Sequence, residues 1–164
     1  MQFEDFKESD VYNYEGNCLV WGKNTSIGLV IEDSDDDTIL TKHIDKINQQ
    51  LDFIENNKNK IVDFLVENEF LELAEEWISS GEEADDYTEE KECYLDESGK
   101  KVYLPITPED FAESISFESI NFSFDDEGML TETYIMCDPD YFAGHVICFD
   151  IEPDGSFSEN SIAG

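Results

Sequence analysis

Apolar residues recur along this chain at two different periods, and the changes of period mark out its elements. Near the start, "NCLVWGKN" and "TSIGLVIED" are apolar-rich runs, and the "GKNTS" between them reads as the turn of a β-hairpin. After the acidic run "EDSDDD" the period becomes helical, and Asp36 or Asp37 is placed to cap the helix that starts there. Leu40, Ile44, Ile47, Leu51 and Ile54 step by four and three, and the same phase resumes at Ile61 and Leu65. Lys58 and Asn68 interrupt what would otherwise be a coiled-coil seam. The pattern therefore predicts two consecutive helices, with the break near Asn56 to Asn59. The second helix runs to about Ser79, buries Phe64, Leu65, Leu71 and Trp77, and stops at Gly81.

Beyond Gly81 the helical period disappears. "CYLDESGKKVYLP" predicts a hairpin turning at Ser98-Gly99. "ITPEDFAESI" predicts a short helix, with Thr107 as cap, Pro108 in the first helical position and Glu109 and Asp110 in the first turn. In "SINFSF", Ile120, Phe122 and Phe124 alternate with polar residues, and "DDEG" turns the chain into "MLTETYIMC". "HVICFDI" and "SFSENSI" follow as strands joined by "EPDG". Together these predict one α+β domain over residues 1–164. It has a mostly antiparallel sheet, two consecutive helices over about 37–79 packed on one face, and a short helix near 107–114.

Composition supports a folded body and narrows the partners. Hydrophobic residues make up 40% of the chain, enough for a core despite the acidity. Against 42 acids stand 9 basic residues, all lysine, for a formal net charge of −33. Such a field repels nucleic acid and anionic membrane surfaces, and without arginine there is no planar fork for phosphate. It attracts a cation or a basic protein. "MQFEDFKESD" lacks the basic start and apolar run of a secretory signal, and no apolar stretch nears the roughly 20 residues of a membrane span. Cys18, Cys93, Cys137 and Cys148 are widely spaced and form no CxxC pair, as expected of reduced thiols in the cytoplasm.

The acids are unevenly distributed. From Glu67 to Glu97 there are fourteen, with Lys91 the one basic residue among them. "GEEADDYTEEKE" is the densest piece, and it reads as a solvated loop or an interaction segment. Glu82, Glu83, Asp85, Asp86, Glu89 and Glu90 are the candidate partner-binding residues, with Tyr87 as an aromatic anchor. Asp33, Asp35 and Asp36 form a second candidate patch.

The other constellation is "DPDYFAGHVICFDIEPDGS". Asp150, Glu152, Asp154 and Gly155 occupy the first, third, fifth and sixth places of a calcium loop, but the twelfth is Ser161 where a bidentate glutamate is required. "DSDDDT" fails similarly, with Thr38 in place of the loop glycine. "EPDG" is expected to be a turn, and His145 a structural residue held by a carbonyl or a turn carboxylate. The sharper alternative is a metal-dependent or hydrolytic enzyme centred on Asp138, Asp140 and His145, with His43 as a further ligand. No GxSxG elbow is present. No catalytic residue, metal or cofactor is expected. If "MLTETYIMC" and "HVICFDI" pair around Phe142, Cys137 and Cys148 face each other across the ladder.

"ITPEDFAESISFESINFSF" and "DPDYFAGHVICFDIEPDGSFSENSIAG", with Asp140, Gly144-His145, Asp154-Gly155 and Ala163-Gly164, resemble the bacterial domain-of-unknown-function family 2262. "YEGNCLVWGKNTSIGLVIE" is similar to that family's opening. The charge-rich "SGEEADDYTEEKE" departs from its pattern, and no residue is carried over there. The resemblance implies structural roles for Asp140, Gly144, His145, Asp154 and Gly155. It brings no reaction, but implies an immunity-type protein that neutralises a toxin delivered by competing cells. The expected function is a cytoplasmic binding protein whose partner is a basic, secreted toxin domain. An acidic mimic of nucleic acid is a further alternative.

Overall fold

The structure is a computed structural model that describes every residue except 2–4, 32–38, 86, 89 and 125–127; the side chains of 39–42, 159 and 160 also lie outside the description. The expected helix cap at Asp36 or Asp37 and the "DDE" turn fall on these residues. Contacts divide the chain into two compact units. The first comprises Met1–Lys58, Phe117–Ile135 and Ile147–Ser161; the second comprises Asn59–Ser116, Met136–Val146 and Ile162–Gly164. The fold is α+β.

The large sheet runs in the order β1 (Lys7–Glu8), β2 (Tyr14–Val20), β3 (Lys23–Ile31), β7 (Ile115–Phe124), β8 (Met129–Cys137), β9 (Val146–Ile151), β10 (Phe157–Ala163). It is mixed, because β3 and β7 pair in parallel. The β2–β3 hairpin forms as expected, but it turns at Trp21-Gly22 and "KNTS" already belongs to β3. Both turn residues have positive φ, 50° and 74°, the twist that suits a two-residue hairpin. Tryptophan is an unusual occupant, and tertiary contacts hold it. The Glu55 carboxylate accepts from Trp21 N at 2.7 Å, Ile54 O accepts from the indole at 3.1 Å, and Phe117 lies 4.6 Å from the ring. These contacts seat α1 (Ile39–Asn56) on the hairpin, where Ile47, Leu51 and Ile54 are buried.

The second unit holds α2 (Lys58–Glu67, its first residue in the first unit), α3 (Phe70–Ser79) and α4 (Pro108–Ser114). It also holds a small antiparallel sheet of β4 (Glu82–Glu83), β5 (Cys93–Leu95) and β6 (Lys101–Tyr103). The break near Asn57 is where the sequence places it, but a second break separates α2 from α3, so three helices stand where two were expected. The asparagines explain the stops: Asn57 and Asn68 donate to the carbonyls of Phe53 and Phe64 at 2.7 and 2.8 Å, four residues back, competing with helix continuation. Glu69 then takes a left-handed conformation, φ 64°, and re-aims the chain. The buried stripe accordingly shifts from Ile61 and Leu65 to Phe70, Ala74 and Ile78, leaving Phe64, Leu71 and Trp77 half-buried. α4 starts as predicted: Thr107 Oγ1 accepts from Asp110 N at 3.1 Å, and the Asp110 carboxylate reaches back to Thr107.

The register of β8 against β9 places Cys148 opposite Tyr134 and Ile147 opposite Ile135. Cys137 and Cys148 are therefore three residues out of register and point to opposite faces of the ladder, contrary to the facing pair expected. All four cysteines are free thiols.

Candidate functional site

Among the described residues, the acidic segment carries regular backbone pairing. Glu82 and Glu83 pair with Leu95 and Tyr94, and Ala84 N continues the ladder to Cys93 O at 2.8 Å. The chain then doubles back, with Thr88 and Lys91 exchanging backbone hydrogen bonds of 3.0 and 2.9 Å. Buried Ala84, Cys93, Tyr94 and Val102 anchor this platform. Among the described residues, Glu82, Glu83, Asp85, Glu90 and Glu92 are all exposed on it. Tyr87 is half-buried, with its ring set edge-on to Tyr94 at 5.6 Å, so part of the expected anchor already packs against its own fold. The Lys91 ammonium lies over the Tyr103 ring at 4.3 Å. Asp86, Glu89, Asp33, Asp35 and Asp36 lie outside the described residues.

The Asp138–His145 corner is built from carboxylates turned onto backbone. The Asp140 carboxylate accepts from Phe142 N at 3.2 Å and from Gly144 N at 2.7 Å. Ala143 and Gly144, φ 53° and 82°, close this turn in the left-handed region, which a glycine occupies without strain. Asp138 forms an ion pair with Lys100, and hydrogen bonding to that carboxylate raises the Lys100 pKa above the ordinary lysine value. His145 Nδ1 sits 3.0 Å from Phe142 O and 3.2 Å from Ala143 O. Both are acceptors only, so Nδ1 carries the proton. Trp77 packs edge-on to the same ring at 5.3 Å. His145 is thus held between backbone carbonyls and an aromatic neighbour.

One residue that organises this corner escaped the sequence reading. Asp96 is 6% exposed, and its Oδ1 accepts from Ser98 Oγ at 2.7 Å and Lys100 N at 2.8 Å. Its Oδ2 accepts from Asp140 N at 2.9 Å, tying the β5–β6 turn to the Asp140 turn. Burial opposes the ionised form, yet the hydrogen bonds from Ser98, Asp140 and Lys100 outweigh it and hold the pKa below the usual aspartate value. The signal was present in "DESG": an aspartate two residues before a serine and three before a glycine is a turn former.

In the first unit, "EPDG" is the turn expected. Asp154 accepts from Ser156 N and Oγ at 2.9 and 2.6 Å, Gly155 N donates to Glu152 O at 2.8 Å, and Gly155 has φ 78°. His43 lies in α1, stacked on Phe124 at 4.2 Å. The structure therefore brings Asp138, Asp140 and His145 into one corner of the second unit and places His43 in the first. Among the described residues, no three His, Cys, Asp or Glu side chains are arranged to hold a metal ion, and no helix is long and apolar enough to cross a membrane.

No curated protein and no solved structure matches the chain. A family described as an uncharacterized protein conserved in bacteria matches residues 3–162, and with that coverage the chain belongs to it, domain-of-unknown-function family 2262.

Proposed function

We propose that this chain is a cytoplasmic bacterial immunity protein, a binding protein without catalytic activity, that covers the cationic cleft of a toxin domain with its acidic platform. A toxin that holds phosphates needs a basic cleft, and a preformed anionic surface gains on-rate by steering and then excludes the substrate. The observation that carries this reading is the run of exposed acids at Glu82, Glu83, Asp85, Glu90 and Glu92 on a small sheet anchored by buried Cys93, Tyr94 and Val102. An ordered platform presents charge with little ordering entropy left to lose on binding.

The test takes a candidate toxin domain, sought in the gene neighbouring the one for this chain, and measures protection by co-expression in a sensitive host. A variant carrying Glu82→Gln, Glu83→Gln, Asp85→Asn and Glu90→Gln is expected to lose protection. Association of the wild type with the purified domain should slow steeply as the screening length falls from about 10 Å at 0.1 M salt to about 3 Å at 1 M. Undiminished protection by the neutralised variant, with an on-rate indifferent to salt, overturns the proposal.

A further inference from the structure

In the second unit, a groove of about 350 Å³ runs along β6, with α4 and the Asp138-Pro139 corner as its other walls. It adjoins the acidic platform through the ladder, since β6 pairs with β5 and Leu104 N donates to Glu92 O at 3.0 Å. Its volume falls at the lower end of the roughly 300–1,000 Å³ typical of ligand sites.

Floor and rim differ in character. Val102, Ile106 and Tyr141 form the floor, each at most 4% exposed. Ser114 beside them is also buried and donates to Phe111 O at 2.8 Å, so its hydroxyl proton is already committed. The floor therefore offers an occupant apolar surface, and the charged groups within its reach stand at the rim.

Those rim groups are exposed. Asp110 and Glu113, three residues apart, share one face of α4, and Asp138 stands on the corner. Asp110 accepts from Thr107 and Asp138 pairs with Lys100, whereas the Glu113 carboxylate forms no hydrogen bond or ion pair with a described residue. Lys101 stands among these three carboxylates, and the whole chain carries −33, so the groove favours a cation.

Tyr103 narrows the kind of cation. Its ring is 44% exposed at the edge of the groove, and the Lys91 ammonium lies 4.3 Å from its centroid, so the ring already serves as a cation-binding surface. A charge on a long apolar stem fits such a groove, because the stem covers apolar surface while the charge stays at the rim. Guanidinium fits better than ammonium: it is planar and weakly hydrated, and it stacks on an aromatic face or forks onto a carboxylate.

We propose that this groove receives an arginine side chain of a basic protein partner, its stem laid over Tyr103 and Pro139 and its guanidinium on the Glu113 carboxylate. Asp110 and Asp138 keep their own partners and add only field. The partner's class rests on the acidic-platform reading, to which the groove adds an anchor: the platform steers from a distance, and the groove fixes one residue.

The test is nuclear magnetic resonance titration of the full chain with Nα-acetyl-arginine methylamide in about 0.15 M salt, followed at the Val102, Ile106 and Glu113 amides. Saturable shifts confined to the groove are expected, with Kd on the order of 1–10 mM. The citrulline analogue, uncharged and of nearly the same shape, should bind at least about fivefold more weakly. Glu113→Gln removes the paired charge, and Tyr103→Leu removes the aromatic face while keeping apolar bulk; each should weaken the arginine probe about threefold or more. Both residues are exposed, and amide spectra away from the groove report that the fold is intact. Shifts scattered over the acidic surface, citrulline binding equal to that of arginine, or full-strength binding by either variant overturns the proposal. No toxin enters this experiment. An absent groove signal beside platform-dependent protection therefore sinks the groove alone, and a groove signal beside protection indifferent to the platform sinks the platform alone.

Discussion

Replacing Asp96 with alanine removes one carboxylate that serves three donors, and the structure sets the size of the effect. Ser98 Oγ lies on an exposed residue and recovers a water partner, so its loss counts for little. Lys100 N and Asp140 N lie in the part-buried turn and lose a charged acceptor at 2.8 and 2.9 Å. Hydrogen bonds to a charged group contribute roughly 1.5–3 kcal/mol each, and partial rehydration reduces the sum, so Asp96→Ala should cost about 2–4 kcal/mol. Asp96→Asn keeps one acceptor oxygen but turns an NH2 group toward one of the two backbone donors. It should therefore lose at least half as much.

The assay is urea unfolding followed through Trp77, which borders the same 170 Å³ hollow as Asp96 and Asp140, in a Trp21→Phe background that silences the first unit. The pH dependence has a definite sign. The folded-state pKa of Asp96 lies below its unfolded value of about 4, so the unfolded chain takes up the proton first as pH falls. The stabilisation is complete well above pH ~4 and is lost as pH falls through the depressed folded value. The gap between wild type and Asp96→Ala should thus be full at neutral pH and shrink in acid. A loss below about 0.5 kcal/mol at pH 7, or a gap that does not narrow in acid, refutes the reasoning.

Gly155→Ala should destabilise the first unit by about 1–3 kcal/mol, since its φ is 78° and a Cβ would meet the Phe53 ring at 2.8 Å; thermal unfolding read at Trp21 measures it. Gln50→Leu, by contrast, should raise the stability of the same unit by about 1 kcal/mol, because it removes a buried unmet donor. Native-state alkylation at pH 8, read by mass spectrometry, should modify at most Cys18 and Cys148. Burial pushes the Cys137 thiol up to about 12 and Cys93 is fully buried, whereas the denatured chain should take four labels. The platform variant carrying Glu82→Gln, Glu83→Gln, Asp85→Asn and Glu90→Gln should be at least as stable as wild type in urea, because it relieves repulsion among exposed like charges. A clear loss there would give these acids a structural role and remove them as a dedicated binding surface.

Local chemistry was legible in the sequence where it acts locally. Thr107, Pro108 and Asp110 specify the start of α4 without outside help, and Asp154-Gly155 and Ser98-Gly99 specify their turns. What escaped depends on contacts distant in sequence. Trp21 takes a positive φ because Glu55 and Ile54, more than thirty residues away, hold it there. The register that separates Cys137 from Cys148 is fixed by which face of each strand is buried, and a symmetric reading of the loop between them does not reveal it. The parallel pairing of β3 with β7 joins segments about ninety residues apart that carry no mark of each other.

The two acid-rich regions differ in what their carboxylates do, and that difference decides where function is sought. Around the Asp140 turn, Asp96 and Asp140 accept from backbone N–H groups and Asp138 pairs with Lys100. To recruit any of them for a ligand would first break contacts that shape the corner. Around Ala84 the arrangement is inverted: the apolar residues are buried, and the backbone is satisfied by the β4–β5 ladder and the tight turn at Thr88 to Lys91. Among the described residues, the carboxylates of Glu82, Glu83, Asp85, Glu90 and Glu92 are exposed on that scaffold. A like-charge cluster that contributes no shape lowers stability by mutual repulsion and persists only if it is neutral to fitness or serves a partner. Stability without the charges, set against protection with and without them, separates those two cases.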